Sequence, residues 1–157
     1  ATGYLEDVVS LALSSVFGPG YSFKIDYEVK RNQSEATPWI VIDGEKNSPR
    51  DEVGGGVLDV ASLAMRLALW SLMEPRPAPV FVLDEPGRFL GEEESDEEWT
   101  PDQAAFGRML KELSEMLGLQ ILLVSHSRSI IECADRAYEV KKTAGISQAR
   151  QVKSTGD

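Results

Sequence analysis

The stretch that decides the fold is Val80-Phe81-Val82-Leu83-Asp84-Glu85-Pro86, in which four apolar residues are followed directly by two carboxylates and a proline. A short apolar segment between breakers is typical of a strand buried on both faces, as in a parallel sheet. Open α/β sheets place their ligand sites beyond the carboxyl ends of such strands. Because two acids are costly to bury without a cationic partner, we expect Asp84 and Glu85 to serve a metal ion with a phosphate.

The same stretch matches the Walker B pattern of nucleotide hydrolases, in which four apolar residues precede Asp-Glu. On this interpretation Asp84 holds Mg²⁺, directly or through water, and Glu85 polarises the attacking water. The alternative is a strand end with two solvated acids. The motifs in the rest of the chain are needed to distinguish the two interpretations.

Composition limits the possible classes of protein. With 157 residues and 42% apolar content, residues 1–157 are expected to form a single domain with a buried core. We expect no membrane span, because polar residues interrupt the longest apolar helix pattern, and we expect no secretory signal at the N-terminus. The single Cys133 excludes an internal disulfide and fits a reducing compartment, so the expected location is cytoplasmic.

The charge of the chain is strongly acidic and unevenly distributed. The net charge is −10, and residues 92–98 contain six of the 26 acidic groups. Such a block is expected to be a solvated loop. An acidic chain is also a poor stand-alone binder of nucleic acid, because that affinity comes mainly from Lys and Arg that neutralise phosphates.

Periodicity predicts the elements that precede the Walker B strand. An amphipathic helix is predicted over residues 4–13, and a half-buried, alternating strand over residues 21–29. A second strand over residues 39–43 is expected to run antiparallel to the first, with residues 31–37 as a loop between them. A largely apolar helix is predicted over residues 53–73. Three glycines open it, and their backbone is expected to need a close approach or a positive φ.

The elements after the acidic block carry clearer boundary signals. Thr100 is a predicted N-cap, and Gln103 is expected to complete a capping box with it. The helix is expected to end at Leu117, before Gly118. A second apolar strand over residues 120–124 leads into Ser125-His126-Ser127 and a short helix, and residues 137–152 are expected to form a hairpin.

The order of these features favours nucleotide chemistry over two solvated acids. The acid-bearing strand is followed by a helix and then by a second apolar strand that ends at His126, the only histidine in the chain. A crossover connection of this kind makes the two strand ends neighbours. His126 is then expected to reach the phosphate that Asp84 and Glu85 serve.

In these motifs the chain resembles the C-terminal lobe of an ABC-type ATPase head, within the SMC/SbcC/RecN/RecF group of DNA-repair and chromosome-organising ATPases. Val53-Gly54-Gly55-Gly56-Val57 stands where that family has its signature motif, Leu-Ser-Gly-Gly-Glu/Gln. Residues 80–85 match Walker B with its catalytic glutamate, and residues 86–91 stand at the D-loop. Val124-Ser125-His126 matches the switch histidine. The motifs cover residues 53–140.

The resemblance implies a fold, ligands and site residues. The fold is α/β, the C-terminal half of a P-loop NTPase head, with a mostly parallel sheet flanked by helices, antiparallel strands near the N-terminus and a C-terminal hairpin. The implied ligands are ATP and Mg²⁺, with Glu85 and His126 as catalytic residues and Asp84 as the metal ligand. The implied nucleotide contacts are Val53, Gly54, Gly55, Gly56 and Gly91.

The sequence contains no G-x-x-x-x-G-K-[ST] phosphate-binding loop, the Walker A motif. The resemblance therefore implies that a Walker A lobe is supplied elsewhere, by the same protein or by another chain. It also implies a head–head dimer, DNA bound through the full assembly and a nucleoid-associated location, and it allows a nuclease subunit as a further partner. A C-terminal lobe alone is expected to expose apolar surface meant for the other lobe, and so to associate.

Departures from the family pattern leave two other interpretations open. Gly54 replaces the signature serine, Val57 replaces the signature Glu or Gln, and Gly91 replaces the D-loop aspartate. These changes suit a scaffold that has kept the fold and lost catalysis. The other alternative is a metal-dependent phosphoesterase that uses Asp84, Glu85 and the acidic block, although that block lacks an ordered ligand pattern.

Overall fold

A computed structural model describes residues 2–30, 33–50, 53–90 and 100–155 of the chain, and these form an α/β fold of four helices and seven strands. The helices and strands, in chain order, are α1 (Thr2–Phe17), β1 (Tyr21–Lys30), β2 (Gln33–Ile42), β3 (Glu45–Asn47), α2 (Gly55–Ser71), β4 (Val80–Asp84), α3 (Pro101–Leu117), β5 (Gln120–Val124), α4 (Arg128–Ile131), β6 (Arg136–Thr143) and β7 (Ile146–Ser154).

The N-terminal sheet has the order β1-β2-β3 and is antiparallel throughout, which confirms the predicted pairing of its first two strands. The prediction of a loop over residues 31–37 is wrong for residues 33–37, because β2 already begins at Gln33, which pairs with Lys30, and residues 31 and 32 lie outside the described residues. Pairing with β1 imposes the strand on a locally polar sequence that has little strand propensity of its own. The short β3 was not predicted.

The first half of β1 is better covered by the core than the second half. Phe23 is 4% exposed and packs against α1, whereas Tyr27 and Val29 are 56% and 77% exposed. The alternation of β1 therefore correctly predicts a strand but overstates how much of it the core covers.

The core lies among the three long helices. Each helix contributes side chains that are fully buried or nearly so, among them Val9 and Leu13 of α1, Val60 and Leu67 of α2, and Phe106 and Leu113 of α3. The predicted helix over residues 4–13 is confirmed within the longer α1, and α2 lies within the predicted range of 53–73. Gly118 ends α3 with a φ of 66°, as its position predicted.

The start of α3 differs from its prediction in one respect. Thr100 is the N-cap, and its Oγ1 accepts a hydrogen bond from the Gln103 N–H at 3.3 Å. The reciprocal half of the capping box is wrong, because the Thr100 N–H donates to Ser129 Oγ at 2.8 Å and the Gln103 side chain contacts Ser127 instead. Packing of the short helix α4 against α3 supplies both of these partners.

Strands β4 and β5 form a parallel pair in which Asp84 lies opposite Val124, as the crossover predicted. The prediction that both faces are buried is wrong. One face packs on the helical core, but the other is open, with Val82 71% exposed and Leu122 and Val124 each 58% exposed. The parallel part is also smaller than the expected mostly parallel sheet. Among the described residues no further strand pairs with β4 or β5, and no second helical layer covers the open face.

The C-terminal hairpin of β6 and β7 is confirmed and is longer than predicted. Its base is fastened by the Thr155 N–H, which donates to the carbonyl of Asp135 at 2.8 Å, and by an ion pair between Lys111 and Asp135 at 2.8 Å. Within the described ranges, no helix is both long enough and apolar enough to cross a membrane.

Candidate functional site

The site begins where the chain leaves β4. Glu85 has a φ of 45°, which lies in the left-handed region that non-glycine residues rarely occupy. Its N–H donates to the carbonyl of Val124 at 2.9 Å and so extends the ladder between the two parallel strands by one bond. Such a conformation persists only where the surroundings hold it, and it is a recurrent feature of functional sites.

Glu85 and His126 meet across the ends of the two strands. Glu85 Oε1 lies 3.3 Å from His126 Nε2, and the other carboxylate oxygen accepts from the His126 N–H at 3.4 Å. The side chain of His126 is 96% exposed and that of Glu85 is 32% exposed. The structure therefore brings together the two residues that the sequence predicted as catalytic, in a position that solvent and ligands can reach.

Asp84 is the last residue of β4, and it is exposed beside Glu85. No group of three or more His, Cys, Asp or Glu side chains suited to a metal ion occurs in the part of the chain that the structure describes. Mg²⁺ is commonly held by one or two carboxylates together with waters and substrate phosphates. Asp84 is therefore a fitting ligand for Mg²⁺ that arrives with a nucleotide, and the remaining ligands would come from groups other than the side chains that the structure describes.

The glycine-rich start of α2 lies against the loop that follows Glu85. None of Gly54, Gly55 and Gly56 has a positive φ. Of the two expected explanations for three glycines, only a close approach of another segment to the backbone therefore remains. That approach occurs at Gly56, where an added Cβ would lie 2.7 Å from Leu90 Cδ2 and 3.0 Å from the carbonyl oxygen of Phe89. Gly54 is the N-cap and is exposed, and a Cβ added there would meet none of the described residues within 4 Å.

The loop over residues 86–90 is anchored at both ends. Gly87 has a φ of 75°, and an added Cβ there would lie 2.8 Å from the ring of Phe106 on α3. Leu90 is 3% exposed and packs at Gly56 of α2. The guanidinium carbon of Arg88 lies 4.5 Å from the centre of the Phe89 ring. Gly91 and the acidic block lie outside the described residues.

One carboxylate near this loop has a shifted pKa. Partial burial raises the pKa of Asp59 on α2 above its ordinary value of 3.8, and the positive charges of Arg88 and Arg66 oppose the shift. Asp59 therefore belongs to the charged surroundings of the Arg88 loop, a connection that the sequence did not reveal.

A shallow cavity of about 260 Å³ lies beside the Glu85–His126 pair. Its walls are formed by Glu85, Pro86, Arg88, Gln103, Ser125, His126, Ser127 and Ile130. Complete small-molecule sites measure roughly 300–1,000 Å³, so this cavity has the size of part of a site. Arg88 and Gln103 were not predicted as site residues, and Gln103 carried only a helix-start signal. Residues 53–56 do not line the cavity.

No family model matches the chain. Among curated proteins, the DNA double-strand break repair Rad50 ATPase of Archaeoglobus fulgidus is 28% identical over 128 residues, which cover 80% of this chain and 13% of that protein. An SMC head solved in complex with the C-winged helix domain of ScpA superposes with a TM-score of 0.71 at 17% identity, over 97% of this chain and 43% of the SMC chain. A chain from structural work on ATP-driven dimerization and DNA-stimulated activation of SMC ATPases gives a TM-score of 0.65 at 18% identity, over 94% of this chain and 84% of that one.

The fold is that of part of an SMC/Rad50-type ABC ATPase head. It is the part expected for the C-terminal half of such a head, which confirms both the resemblance found in the motifs and the α/β fold class. The chain spans only 13% of the curated relative and 43% of the SMC chain bound to ScpA. The activity, substrates and partners of the whole protein are therefore proposals.

Proposed function

We propose that this chain is the C-terminal lobe of a head that binds and hydrolyses ATP at a head–head dimer interface once a Walker A lobe is supplied. The assembly would act in DNA repair, recombination or chromosome maintenance. The observation that carries the proposal is the Glu85–His126 pair, held at 3.3 Å at the ends of two adjacent parallel strands, beside the exposed carboxylate of Asp84.

The two residues of the pair divide the chemistry between them. The carboxylate of Glu85 accepts a hydrogen bond from the attacking water and draws off its proton, a contribution worth about 10²–10⁴ in rate for a positioned general base. Nε2 of His126 holds the terminal phosphate and the water. Because the two side chains already lie in contact, a single water placed beside them can donate to Glu85 and still be within reach of His126.

Mg²⁺, when bound with ATP, neutralises charge that develops on the transferred phosphate. Asp84 is the residue of this chain that would hold it, directly or through water. The Walker A lobe and the phosphates would supply the other contacts, since an octahedral ion needs more ligands than one carboxylate provides.

The open face of the parallel pair supports the need for a second lobe. Parallel sheets occur almost only with both faces covered. Here Val82, Leu122 and Val124 expose a contiguous apolar face on the side away from the helices. An apolar face of this kind marks a surface that another part of a protein covers, and the Walker A lobe is the occupant that the site chemistry requires.

The glycine-rich start of α2 is proposed to act on the nucleotide of the partner head. Its residues do not line the Glu85–His126 cavity, which fits a contact with the nucleotide of a partner head. Gly54 and Gly55 are exposed, and the N-terminus of a helix of 17 residues offers unpaired N–H groups to an anion. Val53 and Gly91 are proposed as further contacts at the same interface. The ATP-driven dimerization described for an SMC relative supports a head–head dimer.

The wider assembly follows the same proposal. With a net charge of −10, this chain is not expected to bind DNA by itself, so DNA would be engaged through the full assembly. A nuclease subunit and a nucleoid-associated, cytoplasmic location are proposed on the same basis.

The proposal is tested by measuring Mg²⁺-dependent ATP hydrolysis by this chain alone and after mixing with the Walker A lobe of the same protein. We expect no hydrolysis by the chain alone and hydrolysis by the mixture. Glu85→Gln should lower hydrolysis by about 10²–10⁴-fold while ATP still drives dimerization, and His126→Ala should also lower it. Glu115→Gln, the same chemical change at an exposed position of α3, is the matched control.

Two outcomes would contradict the proposal in different ways. Hydrolysis by the chain alone would favour a metal-dependent phosphoesterase. A mixture that assembles, fails to hydrolyse ATP and does not respond to Glu85→Gln would favour a scaffold. The scaffold has one specific observation in its favour, since Gly54 gives α2 no side-chain cap and offers no hydroxyl to a phosphate.

A further inference from the structure

We propose that Gln103 is a positioning residue for His126, on which it acts through the hydroxyl of Ser127. The proposal deepens the proposed function, because the position of His126 matters to the reaction only if that function holds. The contact itself can nevertheless be tested without nucleotide.

The position of His126 depends on a very short segment of backbone. Residues 125–127 connect the end of β5 at Val124 to the start of α4 at Arg128. The ring of His126 is 96% exposed, so packing does not hold it. Its contacts with Glu85 are at the long end of the hydrogen-bond range, at 3.3 and 3.4 Å. Whatever fixes the backbone of this segment therefore fixes where the imidazole can lie.

Ser127 is the point at which the segment is fastened. Its hydroxyl donates to Oε1 of Gln103 at 2.7 Å and accepts from the N–H of Ile130 at 3.3 Å, which caps α4. Its own N–H donates to Ser125 Oγ at 3.0 Å. A hydroxyl has a single proton. The proton given to Gln103 leaves the lone pairs of Ser127 directed toward α4, so one side chain sets both the cap and the exit from β5.

The backbone of Gln103 is held rigidly by α3. It lies in the first turn of α3, where its N–H donates to the N-cap Thr100. The same helix places Phe106 and Met109 in the core, each 1% exposed. Gln103 also forms part of the wall of the cavity that contains Glu85 and His126, so its side chain reaches the site from an element that the core immobilises.

A second set of contacts holds α4 and the residues after it against α3. The hydroxyl of Ser129, which is 1% exposed, accepts from the Thr100 N–H at 2.8 Å. Gly107 allows Cys133 to pack against α3, because an added Cβ would lie 2.9 Å from its sulfur. These contacts hold α4 in place when Gln103 is changed. Loss of the Gln103 contact is therefore expected to loosen residues 125–127 without releasing the helix.

The experiment measures backbone order at His126 and Ser127 by NMR relaxation in the full chain of 157 residues. We expect order parameters near 0.85 in the parent, and roughly 0.6 or lower in Gln103→Leu. Gln103→Glu keeps an acceptor oxygen and should restore the order. Lys111→Leu, which removes a different polar contact of α3, the ion pair with Asp135, is the matched control and should change nothing at these amides.

A double-mutant cycle tests whether Gln103 acts through Ser127. Ser127→Ala removes the hydroxyl, so Gln103→Leu should produce no further change in that background. The lost cap of α4 is common to both members of that comparison. Unchanged amide order in Gln103→Leu, or an equal loss of order with and without the Ser127 hydroxyl, would overturn the proposal.

The complemented head gives the corresponding functional readout. Loss of one neutral hydrogen bond in the positioning of a catalytic group predicts a fall in kcat of about two- to tenfold in Gln103→Leu, with recovery in Gln103→Glu. If the amides respond as expected but the parent head hydrolyses no ATP, the positioning contact stands and the proposed function fails. If the parent is active and the amides do not respond, the reverse holds.

Discussion

Replacing Gly56 by alanine tests the contact between the glycine-rich start of α2 and the loop that follows Glu85. The added Cβ would lie 2.7 Å from Leu90 Cδ2 and 3.0 Å from the carbonyl oxygen of Phe89. Leu90 is 3% exposed and has little room to move, and the carbonyl belongs to the backbone. The loop over residues 86–90 or the helix must therefore shift, and overpacking of this kind costs about 1–3 kcal/mol.

The neighbouring Gly55 provides the matched comparison. An alanine Cβ there would lie 3.9 Å from Phe89 Cβ, which is an ordinary van der Waals contact. Both substitutions share the gain of about 0.5–1 kcal/mol that alanine brings over glycine in a helix. Gly55→Ala is therefore expected to stabilise the chain slightly, and the difference between the two variants isolates the packing cost of about 1–3 kcal/mol.

The assay is urea-induced unfolding, with the free energy of unfolding taken from midpoints at unchanged slope. Each variant is measured at several protein concentrations, so that any association is separated from folding. If Gly55→Ala and Gly56→Ala unfold within about 0.5 kcal/mol of each other, a difference no larger than that of ordinary surface changes, the close approach at Gly56 is refuted. A steric explanation of this glycine then fails with it.

Three further predictions concern the surroundings of the site. Because folding raises the pKa of Asp59 above 3.8, the stability that this group contributes is present below that pH and is lost as the pH rises through the folded-state pKa. Asp59→Asn should flatten this part of the pH dependence of urea unfolding, and an unaltered profile would contradict it. Gly54→Ser adds an N-cap hydroxyl at the position proposed to contact the nucleotide of the partner head, so it should stabilise α2 by a few tenths of a kcal/mol and raise the ATPase rate of the complemented head. A rate that stays at the parent value would show that the hydroxyl has no role there. Val82→Lys on the open sheet face should change unfolding of the isolated chain by less than about 0.5 kcal/mol, yet weaken calorimetric binding of the Walker A lobe. Met116→Lys, at another exposed apolar position, on α3, should leave that binding intact, and equal effects of the two lysines would count against the sheet face as the docking surface.

The features that the sequence predicted well are those with a local physical cause. Thr100, Pro101 and Gly118 set the ends of α3 through hydrogen bonds and backbone angles that lie within a few residues of each end. The apolar segments at β4 and β5 could be read as strands because each is short and bounded by breakers, and the helix between them implied a parallel pair.

The features that the sequence missed depend on partners far along the chain. The polar start of β2 is a strand only because it pairs antiparallel with β1. The side chain of Gln103 turns away from the expected capping box because Ser127, 24 residues later, offers it a proton. The resemblance predicted that some apolar surface would be exposed, but the apolar segments themselves did not show that it lies on one face of β4 and β5, because composition does not tell whether a second layer covers a strand.

The candidate site divides in the same way. The sequence by itself determined that Asp84 ends one of two parallel strands and that Glu85 and His126 follow the ends of the two strands, since strand order and residue spacing are carried by local patterns. Only the tertiary structure decided that Glu85 and His126 touch, that Arg88 and Gln103 share their cavity, and that Gly56 is small because Phe89 and Leu90 lie against it. The physical reason is that local hydrogen bonding and periodicity set an element's type. Contacts between side chains depend instead on how elements pack, to a precision of a few tenths of an ångström that no local pattern encodes.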